Sequence, residues 1–224
     1  ELISEFQPSS QNISIPKNKN VIIICGQGPW DGKLPHDRYW FEGLYLYDFK
    51  GKLIKTVDKE ITGFIDEMEV TENGDIYLLS CFGKIRKILK LDSGGNIILE
   101  KNMDNMSDIH VSKNGNLIIA EGVVNSTSNP IIKIYNNNMK LQKELFDSKN
   151  TGLQFLGISQ NSKYLLLSKV VKNKIRIIVY DMIEFKELFF IDKLDHRVES
   201  SIITDDLKYI IYSCWETSKG VKYL

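Results

Sequence analysis

Five stretches of the chain repeat one arrangement of apolar and polar positions. They are ISIPKNKNVIIICG from Ile13, MEVTENGDIYLLSC from Met68, IHVSKNGNLIIAEG from Ile109, LGISQNSKYLLLSK from Leu156 and IITDDLKYIIYSC from Ile202. Each opens on a short alternating segment, passes through a polar turn and continues as an unbroken apolar run. Alternation with period two marks a strand with one packed face, and a short continuous apolar run fits a strand covered on both faces. Each stretch therefore predicts a β-hairpin. The apolar pairs Ile13/Ile15, Met68/Val70, Ile109/Val111 and Leu156/Ile158 carry the alternation. The last copy departs from it, because Ser201 stands two residues before Ile203. Asn73-Gly74 and Asn114-Gly115 mark two of the turns, and Asn-Gly is the preferred two-residue hairpin loop with positive φ at both positions.

With Ile15, Val70, Val111, Ile158 and Ile203 taken as equivalent, the repeats lie 55, 41, 47 and 45 residues apart. That is the period of a four-stranded propeller blade. Third strands are predicted over Leu44–Tyr47, Ile85–Leu91, Ile131–Tyr135, Ile175–Tyr180 and Val221–Leu224. Four of them run into an acidic or amide residue at Tyr47-Asp48, Leu91-Asp92, Tyr135-Asn136 and Tyr180-Asp181, a turn signal. Fourth strands are predicted over Leu53–Val57, Ile97–Glu100, Leu141–Phe146 and Leu188–Ile191, and no helical period is evident.

The predicted fold class is all-β. We read a five-bladed β-propeller spanning residues 1–224 as a single domain, with hairpins starting near residues 13, 68, 109, 156 and 201. A β-sandwich is the plainer competitor. Glu1–Phe6 looks like an orphan fourth strand, and the last repeat lacks one. Pairing the two would close the ring and remove an open sheet edge. The alternative is a fragment of a six- or seven-bladed propeller.

The segment Ser107–Gly122 resembles the blades of NHL-repeat and gluconolactonase-like propellers, with a hydrophobic pair, an Asn-Gly turn and an apolar strand ending in Ala120-Glu121. Asp66–Ser80 is a looser copy. The resemblance implies the fold. In gluconolactonase-like enzymes an acidic and amide set on the central axis holds a divalent metal, and that set does not map onto this chain residue by residue. Gly-His and Trp-Asp signatures at blade ends are absent, and the sole Trp-Asp pair, Trp30-Asp31, falls in a loop.

Composition narrows function by exclusion. Lys+Arg and Asp+Glu number 29 each, so the basic excess typical of nucleic-acid binding is missing. The longest apolar runs are too short to span a bilayer. Three scattered cysteines, Cys25, Cys81 and Cys214, suit neither a disulfide framework nor a zinc site and read as small buried hydrophobes. No nucleophile elbow or phosphate loop is present. The compartment stays open between cytoplasmic and exported with the leader removed, since the chain starts at Glu1.

Two regions are candidate binding surfaces. First strands line a propeller axis, so residues just before the five reference positions form its mouth. Asp66, Glu67, Asp108 and Glu199 gather there, with His110, His196 and Arg197 nearby. Carboxylate oxygens suit calcium or magnesium, which makes Glu67, Asp108 and Glu199 candidate metal ligands. Paired carboxylates could also serve a glycosidase, and a solvated polar mouth explains them equally. The second region is the loop from Gly26 to Gly43, which carries Trp30, His36, Arg38 and Trp40; Trp215 sits in the equivalent loop of the last repeat. Aromatic and Arg clusters on loops are common anchors for ligands. The expected function is a non-enzymatic module that binds a protein, peptide or carbohydrate ligand, with no nucleic acid and no membrane span. The alternative is a metal-dependent hydrolase, lactonase or glycosidase. No cofactor is expected beyond a divalent cation at the axial acids.

Overall fold

The computed structural model describes residues 12–17, 19–26, 43–103, 105–123, 130–146, 152–172, 174–194 and 197–215. The chain divides into two compact units, Glu1–Val111 and Ser112–Leu224. The division falls in the hairpin turn after the ninth strand.

The first unit holds two four-stranded antiparallel meanders in simple sequential order. One is β1 (Asn12–Ser14), β2 (Ile22–Gly26), β3 (Gly43–Tyr47) and β4 (Leu53–Asp58). The other is β5 (Phe64–Val70), β6 (Ile76–Phe82), β7 (Ile85–Leu91) and β8 (Ile97–Asn102), followed by β9 (Met106–Val111). Between the meanders lies α1 (Lys59–Thr62), a single turn too short to leave a helical period in the sequence. The second unit runs through β10 (Leu117–Val123), β11 (Pro130–Asn136) and β12 (Leu141–Phe146). It continues with the meander β13 (Gln154–Ile158), β14 (Tyr164–Val171), β15 (Lys174–Asp181) and β16 (Lys186–Leu194), and ends in the hairpin β17 (Arg197–Ile203) and β18 (Ile210–Trp215). The predicted strands at Glu1–Phe6 and Val221–Leu224, and with them the ring closure, lie outside the described residues.

The repeat register agrees with the strands. Val70, Val111, Ile158 and Ile203 are each the last residue of a first strand, and Ile15 directly follows β1. Four of the five second strands are buried on both faces as the apolar runs predict: Ile23 to Cys25, Ile76 to Ser80, Ile118 to Ala120 and Leu165 to Leu167 are all buried, whereas in β18 Ile211 is 57% exposed. In the first unit Ile23, Leu44 and Leu46 of one meander pack against Ile65, Met68, Ile76 and Leu78 of the next. In the second unit Leu166, Ile177 and Val179 pack against Val198 and Ile203 of the last hairpin.

The hairpin turns differ from the expected two-residue loops. In the two Asn-Gly turns the glycine alone takes positive φ: Gly74 and Gly115 do, and the asparagines before them do not. Four of the five turns are longer loops anchored by a hydroxyl. The Oγ atoms of Ser112 and Ser159 and the Oγ1 atoms of Thr71 and Thr204 accept the N–H groups of Leu117, Tyr164, Asp75 and Tyr209 at 3.0–3.1 Å. The left-handed position that closes each turn is Gly74, Gly115, Ser162 or Leu207. The outer turns behave as the Asp/Asn signal predicts. Oδ1 of Asp48, Asp92, Asn136 and Asp181 each accepts two backbone N–H groups further along its own turn. A register shift just before each of these turns repeats in four meanders, at Leu46/Tyr47, Lys90/Leu91, Ile134/Tyr135 and Val179/Tyr180. A bulge there adds local twist.

Ser201 breaks the alternation for a steric reason. It pairs with Tyr212 and is buried, and β13 passes directly over it. A Cβ built on Gly157 would sit 2.0 Å from the Ser201 carbonyl oxygen. Two small residues therefore let the first strands of adjacent sheets approach closely. Gly157→Ala is expected to destabilise the protein by about 1–3 kcal/mol or more, through overpacking against backbone that cannot yield; urea unfolding measures it. Ser159→Ala is expected to cost about 1–3 kcal/mol by leaving the Tyr164 N–H without its acceptor in a turn whose serine is buried, again read from the unfolding midpoint.

Candidate functional site

The carboxylates that the structure brings together come from two neighbouring first strands of the first unit. Glu67 and Glu69 lie on β5, and Asp108 and His110 on β9. Strand alternation places Glu67 and Glu69 on one face, and Asp108 and His110 likewise. The Ile109 N–H donates to Glu67 Oε2 at 2.9 Å, which ties the two strands together. His110 Nδ1 stands 3.9 Å from Glu69 Oε1, and its Nε2 3.9 Å from Asp108 Oδ2, contacts that become ion pairs when the imidazole is protonated.

Crowding of these acids changes their protonation. Glu67 is pushed up to about 9, first by burial and then by its hydrogen bond with Asp108, with the Ile109 N–H pulling the other way. Two carboxyl groups in contact cannot both ionise without a large repulsion, which adds to the upward push on Glu67. Asp108 Oδ1 is screened from solvent and meets no donor while Glu67 is ionised. A proton on Glu67 supplies a donor to Asp108. Glu69 is pushed up to about 7 by burial, against the pull of His110 and with the push of Asp108.

Three of the expected site residues, Glu67, Asp108 and His110, thus belong to one cluster, and Glu69 joins them. Its position, one before the reference residue and equivalent to His110, was the available signal. Asp66 does not take part. It is the bulged residue of β5, turned to Arg86 at 3.1 Å, and it also accepts from Cys81 Sγ at 3.2 Å. Arg86 in turn donates to the Met106 carbonyl at 2.6 Å, so this trio braces β7 against β9. Cys25 is fully buried with its thiol pushed up to about 12 by burial, as expected of a small hydrophobe. Glu121, the last residue of the Ala-Glu pair, accepts the Phe155 N–H at 2.6 Å within the second unit. It plays the same strand-tying part there that Glu67 plays in the first unit.

The loop residues Trp30, His36, Arg38 and Trp40 lie outside the described residues, as do His196 and the side chains of Arg197, Glu199, Cys214 and Trp215. What the structure does describe is the base of the long loop: Gly26 and Gly43 face each other as the last pair of β2 and β3.

No protein-family profile matches the chain, and no curated protein is similar to it in sequence. Solved structures do resemble it. The Dos1 propeller superposes with a TM-score of 0.60 at 12% identity, covering 96% of this chain and 57% of that one. A chain of Kuenenia stuttgartiensis hydrazine synthase superposes with a TM-score of 0.61 at 15% identity, covering 95% of this chain and 59% of that one. These similarities, together with the successive antiparallel meanders, establish a β-propeller fold. The chain spans well under two thirds of either structure. Among the described residues no helix is long and apolar enough to cross a membrane.

Glu67 keeps its proton in the folded state up to about pH 9, whereas a carboxyl at its ordinary value of 4.5 loses it far earlier. Between those limits the folded state binds more protons than the unfolded chain, so stability falls as pH rises across that window. Glu67→Gln keeps an acceptor for the Ile109 N–H and offers a permanent donor to Asp108. Its unfolding midpoint in urea is expected to change far less between about pH 6 and about pH 8.5 than that of the unaltered protein. An equal fall in both proteins would show that another group is responsible.

Proposed function

We propose that this β-propeller is a binding module whose first-unit cluster, Glu67, Glu69, Asp108 and His110, receives a cation. The observation that carries the reading is the convergence of these four side chains from β5 and β9, with Glu67 held well above the ordinary carboxylate range. A site that retains a proton far above the ordinary carboxylate range lacks enough positive charge around it. A bound cation would supply that charge and displace the proton. Carboxylate oxygens favour calcium or magnesium, and an imidazole widens the set toward manganese or zinc. Gly26 and Gly43 pair at the end of their sheet, and the sequence between them carries aromatic and Arg side chains suited to a protein, peptide or carbohydrate ligand.

A metal-dependent hydrolase, lactonase or glycosidase would draw on the same groups. Glycosidase carboxyls stand about 5–9.5 Å apart so that the scissile bond fits between them. Glu67 and Asp108 lie within hydrogen-bonding reach of each other, nearer than that spacing, which favours binding over that chemistry.

Calorimetric titration with calcium, magnesium, manganese and zinc chlorides tests the cation site. Saturable binding of at least one ion is expected, tighter at about pH 8.5 than at about pH 6.5 because the proton must leave. It should weaken at least tenfold in Glu69→Gln/Asp108→Asn. Absence of binding at both pH values, or binding that the double substitution leaves unchanged, would defeat the proposal.

A further inference from the structure

Asn73-Gly74 and Asn114-Gly115 each lie in the turn after a first strand. The Asn-Gly step is chemically labile for a structural reason. Glycine has no side chain to shield its backbone nitrogen, which can close a five-membered ring on the asparagine side-chain carbonyl carbon, Cγ. Attack of the nitrogen on Cγ forms one C–N bond and breaks the C–N bond of the side-chain amide. Ammonia leaves, carrying the proton of the glycine N–H. Water then opens the cyclic imide at either carbonyl and gives aspartate or isoaspartate. Ring closure therefore requires both the asparagine side chain and the glycine nitrogen to leave their places in the turn.

The two turns restrain their backbones alike. The Gly74 N–H donates to the Thr71 carbonyl at 3.0 Å, and the Gly115 N–H to the Ser112 carbonyl at 2.7 Å. Both glycines are buried at positive φ, and both asparagines are exposed. The side chains are held differently. Asn114 Oδ1 accepts from Ser112 Oγ at 2.8 Å, from the buried Ser162 Oγ at 2.9 Å and from the Asn116 N–H at 3.0 Å. The length of the turn explains this. Where the hydroxyl and the N–H it accepts are five residues apart, the residue two past the hydroxyl takes the same pair of local bonds, at Asn114, Asn161 and Asp206. The Thr71 turn is one residue shorter, reaching Asp75, and Asn73 falls outside the pattern. Among the described residues, no donor or acceptor meets the Asn73 amide.

We propose that Asn73 is a site of spontaneous backbone modification, converted through its cyclic imide to isoaspartate and aspartate, and that the three bonds on Asn114 protect the second Asn-Gly step. Water is the only co-reactant. The conversion places a new carboxylate in the turn between β5 and β6. Isoaspartate also routes the chain through Cβ and Cγ, which adds one backbone atom between Thr71 and Asp75, the two residues whose bond sets the turn. Register in a hairpin depends on its turn, so the modified hairpin opens locally more readily.

The test incubates the folded 224-residue chain in mildly alkaline buffer and follows both sites by peptide mass and isoaspartate content. Asn73 is expected to convert at least tenfold faster than Asn114, because ring closure at Asn114 must first break three side-chain hydrogen bonds. In concentrated urea, where neither turn survives, the two rates should converge, since both asparagines precede glycine. Ser162→Gly removes one donor from Asn114 and suits the left-handed backbone of that position, so the fold should persist and the Asn114 rate should rise. Equal rates in the folded chain, a gap that survives in urea, or an Asn114 rate unmoved by Ser162→Gly would each overturn the proposal. So would aspartate formed from Asn73 without isoaspartate, which would mean that water attacks the side-chain amide directly.

Discussion

Burial of both faces of each sheet is the constraint on which the rest depends. A meander of four strands leaves two apolar surfaces, and neither can stay in water without forfeiting roughly 1.5–3 kcal/mol for each large side chain. In this protein successive sheets cover one another within each unit, so that Ile76 to Leu79 touch no solvent on either side. Close approach of the sheets then dictates small residues where first strands converge, and Gly157 and Ser201 answer that demand.

Local chemistry sets the register that makes this packing possible. A one-residue slip would turn every apolar side chain of a strand outward. Hydroxyl-anchored inner turns and carboxylate- or amide-anchored outer turns recur from sheet to sheet and hold the strands in step. Because a side-chain oxygen takes over backbone N–H groups at each turn, the left-handed position that follows tolerates serine and even leucine in place of glycine.

The same convergence of first strands creates the acidic cluster. Glu67 spans from β5 to the backbone of β9, a structural task, yet it is thereby pressed against Asp108. The result is a carboxyl that keeps its proton well past neutrality. Structure and binding draw on one group: tying the strands together costs the site its charge balance, and a cation would restore it.

The apolar alternation, the 41–55-residue spacing and the Asp/Asn turn signals made the hairpins and their order legible from the sequence, because each depends on neighbours a few residues away. The propeller class followed from their repetition. Turn geometry was legible only in part: Asn-Gly marked the place in two hairpins, but the hydroxyl one residue past four of the first strands decided the loop. The acids were legible as a group and not as a site. Asp66 and Glu67 are adjacent in the chain, yet a bulge sends one to Arg86 and alternation sends the other to Asp108. Which acids meet and which keep a proton were decided by contacts between strands about forty residues apart, such as Glu67 to Ile109. Burial and charge proximity are properties of that assembly, and no short-range pattern encodes them.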